Sequence, residues 1–498
     1  MLENLLMGFS IVLHWQPILL IIGGVVIGIL VGATPGLNAS AGVALLLPFT
    51  FTMDPAMGLV LLCALYSAAE YGGSITAITI NTPGTPAAVA TTFDGYQFTK
   101  KGQPGKALGA SIVASTCGGM FSTIALIVLG VPLAELALKF GPAEYFALGI
   151  FGLTIIASLS SRNYIKGFVA ACIGLIIETV GMDPFTAYPR FTFGRMELLE
   201  GFSLIPALLG LFAISEVFKL MEEVIKEKIT FDYKSSLKLP TLKEYKGLAP
   251  TILRGSIIGT FIGAMPGAGA TIASLISYDQ AKRAAKNPDD FGKGDLRGVA
   301  APESANNASV GGALIPLLTL GIPGSATTAI LIGGLMMHNI QPGPMLFEKN
   351  PEIVFSLFAS LFLANFFMLV LGLGGTKIWA RVNSIPRNIL IPSIMGISIV
   401  GSYSIGNSLF DVGVMIAFGI LGYILHKFNF PPAPIVLSMV LGFIIESSAR
   451  RAILQSGGDY LVFFKHPISA FLLMLALVSA LYPIIKDIKA RRKATINA

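Results

Sequence analysis

One stretch, used twice, limits what this chain can become. In the first half Gly24, Gly28 and Gly32 fall at every fourth position of an apolar run that stops at Pro35-Gly36. In the second half Gly255, Gly259 and Gly263 do the same ahead of Pro266-Gly267. Glycine at this spacing bares a strip of backbone along one helix face, where a second helix can approach closely. A Pro-Gly then ends the helix and frees N–H and C=O groups, which lipid tolerates only where protein or a water-filled cavity covers them. Paired breaks in matching positions of two halves point to the binding site of a transporter.

Composition sets the solvent. Of 498 residues, 54% are hydrophobic and 12% charged, which is too apolar for a soluble chain of this size and defines an all-α polytopic membrane protein. Apolar stretches run from residues 11–32 to 467–485. Several reach the roughly 20 residues that a crossing needs, and shorter ones predict tilted, broken or re-entrant elements. Met1 to Ser10 lacks a basic segment and a small-residue cleavage site, so the first apolar segment is expected to be retained. The net charge of +7 sits in short loops and in the tail Lys486 to Lys493, the cytoplasmic bias of an inner-membrane protein, and this excludes nucleic acid as a partner. Cys63, Cys117 and Cys172 lie within apolar segments without metal spacing and are expected to be small core residues.

The repeat extends further. Tyr71-Gly72-Gly73-Ser74 followed by Asn81-Thr82-Pro83-Gly84-Thr85 is echoed by Gly311-Gly312-Ala313 followed by Gly321-Ile322-Pro323-Gly324-Ser325. Gly152, Ile155, Ser158 and Asn163 match Gly396, Ile399, Ser402 and Asn407 at one offset. The expected organisation is a first transmembrane repeat over 1–218, a charged cytoplasmic linker over 219–246, and a second repeat with an extra C-terminal helix over 247–498. Loop charge assigns orientation. Residues 52–55 carry no Lys or Arg where the matching 276–297 carries Lys282, Arg283, Lys286, Lys293 and Arg297, and Lys100, Lys101 and Lys106 face a match with Lys349 alone. Lys377, Arg381 and Arg387 oppose a loop holding only Lys139, and Arg162 and Lys166 oppose 401–408, which has no basic residue. Opposite bias in matched loops predicts two inverted-topology repeats with Gly/Pro-broken helices or re-entrant hairpins. This count places the N-terminus outside.

Few basic residues lie in the apolar segments, so an anion at mid-membrane would be held by helix N-termini and neutral donors. The expected substrate site comprises Pro35, Gly36, Asn38, Ser74, Asn81, Thr82, Gly84 and Thr85 in the first half, and Pro266, Gly267, Gly269, Thr271, Pro323, Gly324, Ser325 and Thr327 in the second. Glu70, Asn306 and Asn307 are candidates for cation coupling, with the oxygens of Asn306 and Asn307 as ligands for a sodium ion. Glu303 stands in the same Pro302–Asn307 run. Asp94 and Asp279 are expected to cap helices or brace loops, and Glu178 and Glu446 to lie at the interface. His14, His338, His426 and His466 are scattered singly, no nucleotide-binding loop occurs, and no catalytic residue, cofactor or catalytic metal is expected. An intramembrane enzyme would need a nucleophile with a base, and no His falls in the Gly-Pro clusters. A passive channel or scaffold would show neither gradient dependence nor saturable uptake, and a scaffold has no need of duplicated polar helix breaks.

At this point the motifs acquire a relative. Gly32 to Gly36, Tyr71 to Ser74 with Asn81 to Ala87, Asp94-Gly95-Tyr96, Pro266 to Gly269, Pro302 to Asn307, Leu320 to Ser325 and Pro342-Gly343-Pro344 resemble the large membrane subunit of the tripartite tricarboxylate transporters. The resemblance covers nearly the whole chain. It implies a bacterial inner-membrane importer of citrate or a related carboxylate, driven by a sodium or proton gradient. It also implies a periplasmic solute-binding protein, a small second membrane subunit and an elevator-like motion. Pairing with a second copy of the chain is left open.

Overall fold

The computed structural model describes residues 1–159, 164–222, 238–267, 269–375, 379 and 387–496. Arg162, Asn163, Lys377, Arg381 and most of the 219–246 linker lie outside them. The first half contains α1 (Leu2–Val12), α2 (Trp15–Ala33), α3 (Ala39–Leu46), α4 (Pro55–Ile80), α5 (Val89–Lys100), α6 (Pro104–Ala137), α7 (Pro142–Leu159) and α8 (Tyr164–Glu178). A two-residue antiparallel pair, Gly181–Met182 with Pro189–Arg190, precedes α9 (Leu204–Leu208), a π-turn at Leu209–Ile214, and α10 (Ser215–Glu222). The second half contains α11 (Leu242–Gly263), α12 (Gly269–Arg283), α13 (Leu296–Leu320), α14 (Ala326–Met337), α15 (Met345–Lys349) and α16 (Pro351–Gly374). It continues with α17 (Arg387–Gly406), α18 (Leu409–Lys427), α19 (Ala433–Gln455), α20 (Val462–Lys465) and α21 (Pro467–Ile496). Among the described residues, eight helical segments are long and apolar enough to cross a membrane.

The glycine stripes do what their spacing predicts. A methyl group added at Gly28 would stand 2.5 Å from the Leu65 carbonyl oxygen, and one at Gly32 2.0 Å from that of Ala69. Gly259 and Gly263 would meet the Ala305 and Ser309 carbonyl oxygens at 2.2 and 2.5 Å. Both contacts advance in step along the two chains, so α2 runs parallel to α4 and α11 parallel to α13. The intervening α3 and α12 must therefore turn back. Ser274 and Ser277 Oγ of α12 accordingly donate to Pro302 and Ala301 of α13 in reversed order. Each Pro-Gly is thus the tip of a helical hairpin, at Thr34–Leu37 and Ala264–Gly267.

The central helices α4 and α13 are buried along nearly all their length. They run in opposite directions. Asn307 Nδ2 donates to the Ser67 carbonyl and Asn306 Nδ2 to that of Glu70, while Glu303 is reached through Ser111 from Ser74. One hairpin therefore rises from each end of the molecule. At the end where α13 begins, Lys101 Nζ donates to the Lys293 carbonyl and Lys106 pairs with Glu244 at 2.7 Å.

Two expectations change. The 11–32 stretch is divided at Leu13–His14 into α1 and α2, because His14 is extended and Pro17, in the first turn of α2, has no N–H to continue the preceding helix. Of the cysteines only Cys63 is buried; Cys117 and Cys172 are exposed on the outer faces of α6 and α8, where a small apolar side chain suits lipid as well as a core.

Candidate functional site

The hairpin tips and the loops that follow α4 and α13 meet around a cavity of about 470 Å³. After α4 the chain turns through Asn81 in the left-handed region at φ 57°. It then comes back so that the Gly84 N–H donates to the Gly73 carbonyl at 3.1 Å. After α13 it turns at Gly321, φ 71°, and the Gly324 carbonyl accepts from Gly267 N–H at 3.0 Å. Gly84 rests on the carbonyl of Gly32 and Gly324 on that of Gly263. In each half the returning loop therefore seats on the end of a glycine stripe.

The result is a convergence of helix beginnings. Asn38 caps α3 by accepting from Ala41 N–H at 2.8 Å, Ser325 caps α14 in a reciprocal box with Thr328, and Gly269 opens α12. Pro432 precedes α19. All four starts line the cavity, as does the short turn begun by Thr85-Pro86. Their partial positive charges, and those first-turn N–H groups not taken by the Asn38 and Ser325 caps or missing at Pro432 and Pro434, suit a carboxylate. Among the described residues the lining contains no Lys, Arg or His, and its carboxylate is Glu70.

Of the residues expected from sequence, Asn38, Thr85, Gly267, Gly269, Thr271, Ser325 and Thr327 line the cavity, and so does Glu70. Pro35, Gly36, Asn81, Thr82, Gly84, Pro266, Pro323 and Gly324 do not line it; they form the tips and returns that shape it. Gly36 in particular faces Leu220 and Glu216 of α10. Ser74 points away, with its hydroxyl 2.6 Å from that of Ser111. Asn306 and Asn307 are wholly buried beneath the cavity; their amide nitrogens are engaged and neither Oδ1 has a partner. Asp94, also buried, accepts from the N–H groups of Gly292, Gly294 and Asp295 and from the Tyr278 hydroxyl, so it braces the loop ahead of α13.

The sequence reading missed Ser40, Tyr66, Phe212 and Pro431-Pro432 in the lining. Ser40 and Thr327 share a 2.9 Å hydrogen bond that joins the two halves across the cavity, and Tyr66 Oη lies 3.2 Å from Ser325 Oγ. Tyr66 stands one helical turn before Glu70, a signal that was available. Phe212 sits in the π-turn, a deviation often found at functional sites, and nothing in its sequence neighbourhood announces it.

Fold and cavity together define a multi-pass helical membrane protein with a cavity between two helical hairpins. The chain belongs to the tripartite tricarboxylate transporter TctA family, whose model matches residues 18–437. It is 38% identical over 492 residues to an uncharacterized 52.8 kDa protein from the TAR-I ttuC' 3' region of Agrobacterium vitis, covering 99% of this chain and 98% of that one. A second uncharacterized protein, from the TAR-II ttuC' 3' region of the same organism, is 40% identical over 234 residues, which are 47% of this chain and 97% of the relative. No solved structure matches.

Proposed function

We propose that this chain is the translocating subunit of a tripartite importer that moves a citrate-like carboxylate across a bacterial inner membrane. The observation that carries the reading is the convergence of four helix N-termini on a cavity that, among the described residues, holds no basic side chain. Such a site stabilises carboxylate oxygens through fixed backbone donors. It avoids the deep binding that a buried Arg would impose. Glu70 beside the anion gives a reason for cation coupling: bringing a carboxylate next to an ionised Glu70 is unfavourable unless a sodium ion or a proton arrives with it.

Alternating access is supported by the opposed directions of α4 and α13 and by the clustering of Lys101, Lys106 and Lys293 at one end, the arrangement that inverted repeats and positive-inside loops would produce. A periplasmic binding protein would deliver the substrate and a small membrane subunit would accompany this one. An elevator-like displacement of the hairpin-bearing bundle is our reading of how the site changes sides.

The test is uptake of labelled citrate by cells carrying the chain with its two partner components, with and without an imposed cation gradient. Saturable accumulation that needs both the binding protein and the gradient is expected. Uptake that neither saturates nor responds to a gradient would favour a passive channel and overturn the reading.

A further inference from the structure

Glu303 lies wholly buried on α13, away from the cavity lining. Thr91 of α5 donates to its Oε1 at 2.5 Å, Ser115 of α6 approaches Oε2 at 3.0 Å and Ser111 at 3.2 Å. The Ser111 hydroxyl is also 2.6 Å from that of Ser74, which is 2.8 Å from the Tyr71 carbonyl. These are five contacts among four hydroxyls, a carboxyl and a carbonyl. Each hydroxyl carries one proton and can donate once, so the four supply one proton too few.

A proton on Glu303 Oε2 supplies the fifth. Glu303 then donates to Ser111, Ser111 to Ser74, and Ser74 to the Tyr71 carbonyl, a chain with one direction in which every contact holds a hydrogen. With Glu303 ionised, one of these contacts is left without a proton and a negative charge stays at membrane depth. The charged and titratable groups on the surrounding elements offer no substitute. These are Cys63, Tyr66, Glu70 and Tyr71 on α4, Asp94, Tyr96 and Lys100 on α5, Lys106, Cys117 and Glu135 on α6, Tyr278, Asp279, Lys282 and Arg283 on α12, and Asp295 and Arg297 at the head of α13, of which Lys100, Lys282 and Arg283 are exposed. Asp94 is occupied by loop N–H groups and Tyr278, Lys106 pairs with Glu244 and Arg297 with Asp295. Lys243, Lys246 and Arg254 of α11 are exposed. Among the described residues no cation pairs with Glu303.

We infer that Glu303, in its cage of Thr91, Ser111 and Ser115, is the group that holds the coupling proton, at a position separate from the substrate cavity. The inference rests on the transport reading above and names its driving ion. The acid binds one proton from water on one side of the membrane and releases it to water on the other, passing through a carboxylate that bears the single negative charge. The Ser111–Ser74 arm reaches α4 one residue past Glu70, so loss of the proton alters a contact to the helix that lines the substrate.

Two measurements on the full chain test this. Infrared spectra of the purified protein at neutral pH should contain a protonated-carboxyl stretch that disappears in Glu303→Gln and persists in Glu70→Gln; a band unchanged in Glu303→Gln overturns the assignment. Should that variant fold poorly, Ser111→Ala removes the acceptor of the acid proton and should raise the band's frequency, and an unmoved band counts against the chain of donors. In proteoliposomes with the partner components, the ratio of pH-gradient-driven accumulation to carboxylate exchange should fall at least tenfold in Glu303→Gln, and a ratio within twofold of the unmodified protein overturns the proposal. Unmodified protein that neither exchanges nor accumulates carboxylate would refute the transport reading, and the infrared result then decides the proton site by itself.

Discussion

The loop that follows α4 and the loop that follows α13 share a plan and differ in how fully it is secured. Residues Gly321 to Gly324 are buried, and the Ser325 after them is tied by a capping box and by Tyr66. In the first half Asn81 is exposed, and Thr85, only 2% exposed, has a hydroxyl with no partner. A buried donor left unmade costs roughly 1–3 kcal/mol, which a ligand oxygen could recover. On the function proposed above, this difference divides the labour: the second loop positions, and the first receives the substrate.

The strongest way to break this comparison is through the glycines under the two loops. A methyl at Gly84 would stand 2.0 Å from the Gly32 oxygen, whereas one at Gly324 would stand 2.8 Å from the Gly263 oxygen. Gly84→Ala should cost about 3 kcal/mol and Gly324→Ala about half as much, read as thermal midpoints in detergent; equal losses would contradict the asymmetry. Thr85→Val should weaken carboxylate binding about tenfold, close to the loss of one hydrogen bond to a charged group, with little change in midpoint. Ser325→Ala should do the reverse, losing about 1 kcal/mol of stability through its cap; calorimetric titration beside thermal melts separates the two.

A smaller effect tests the turn itself. Asn81→Gly should be tolerated, since glycine enters the left-handed region freely, while Asn81→Ala should lower stability by about 1 kcal/mol. A transport assay beside the melt would show whether Asn81 also touches substrate.

The smallest concerns acid stability far from both loops. Asp183 accepts from the N–H groups of Thr186 and Phe185 and pairs with Arg450, which hold its carboxyl well below the usual carboxylate range. A depressed folded value stabilises above the unfolded value of about 3.9 and is lost as pH falls toward the folded one. Asp183→Asn should therefore flatten the acid limb of the stability profile while leaving carboxylate binding unchanged.

Much of this architecture could be read from glycine spacing, because a helix face without side chains admits only close backbone contact. Gly32 and Gly263 each found the partner helix of their own half. The breaks at Pro35-Gly36 and Pro266-Gly267 were legible for the same reason: Pro and Gly act locally. What escaped was what depends on long-range pairing. Ser40 meets Thr327, and Glu303 meets Thr91 and Ser111, across roughly 190 to 290 residues; serine and threonine are too common in apolar helices for those partnerships to stand out. Asn81 and Gly84 are expected as ligands because the motif is polar; they lie outside the cavity lining, Asn81 at the left-handed turn and Gly84 against the Gly32 carbonyl.

The cage also has a consequence for manufacture. Thr91, Ser111 and Ser115 all lie in the chain made first, and Glu303 arrives about 190 residues later. During synthesis from the N-terminus, the helix bearing this acid thus enters a bilayer already furnished with the hydroxyls that receive it. Were the gene permuted so that α13 preceded α5 and α6, the acid would reach the lipid before its hosts. Biogenesis, more than the finished fold, would then be at risk.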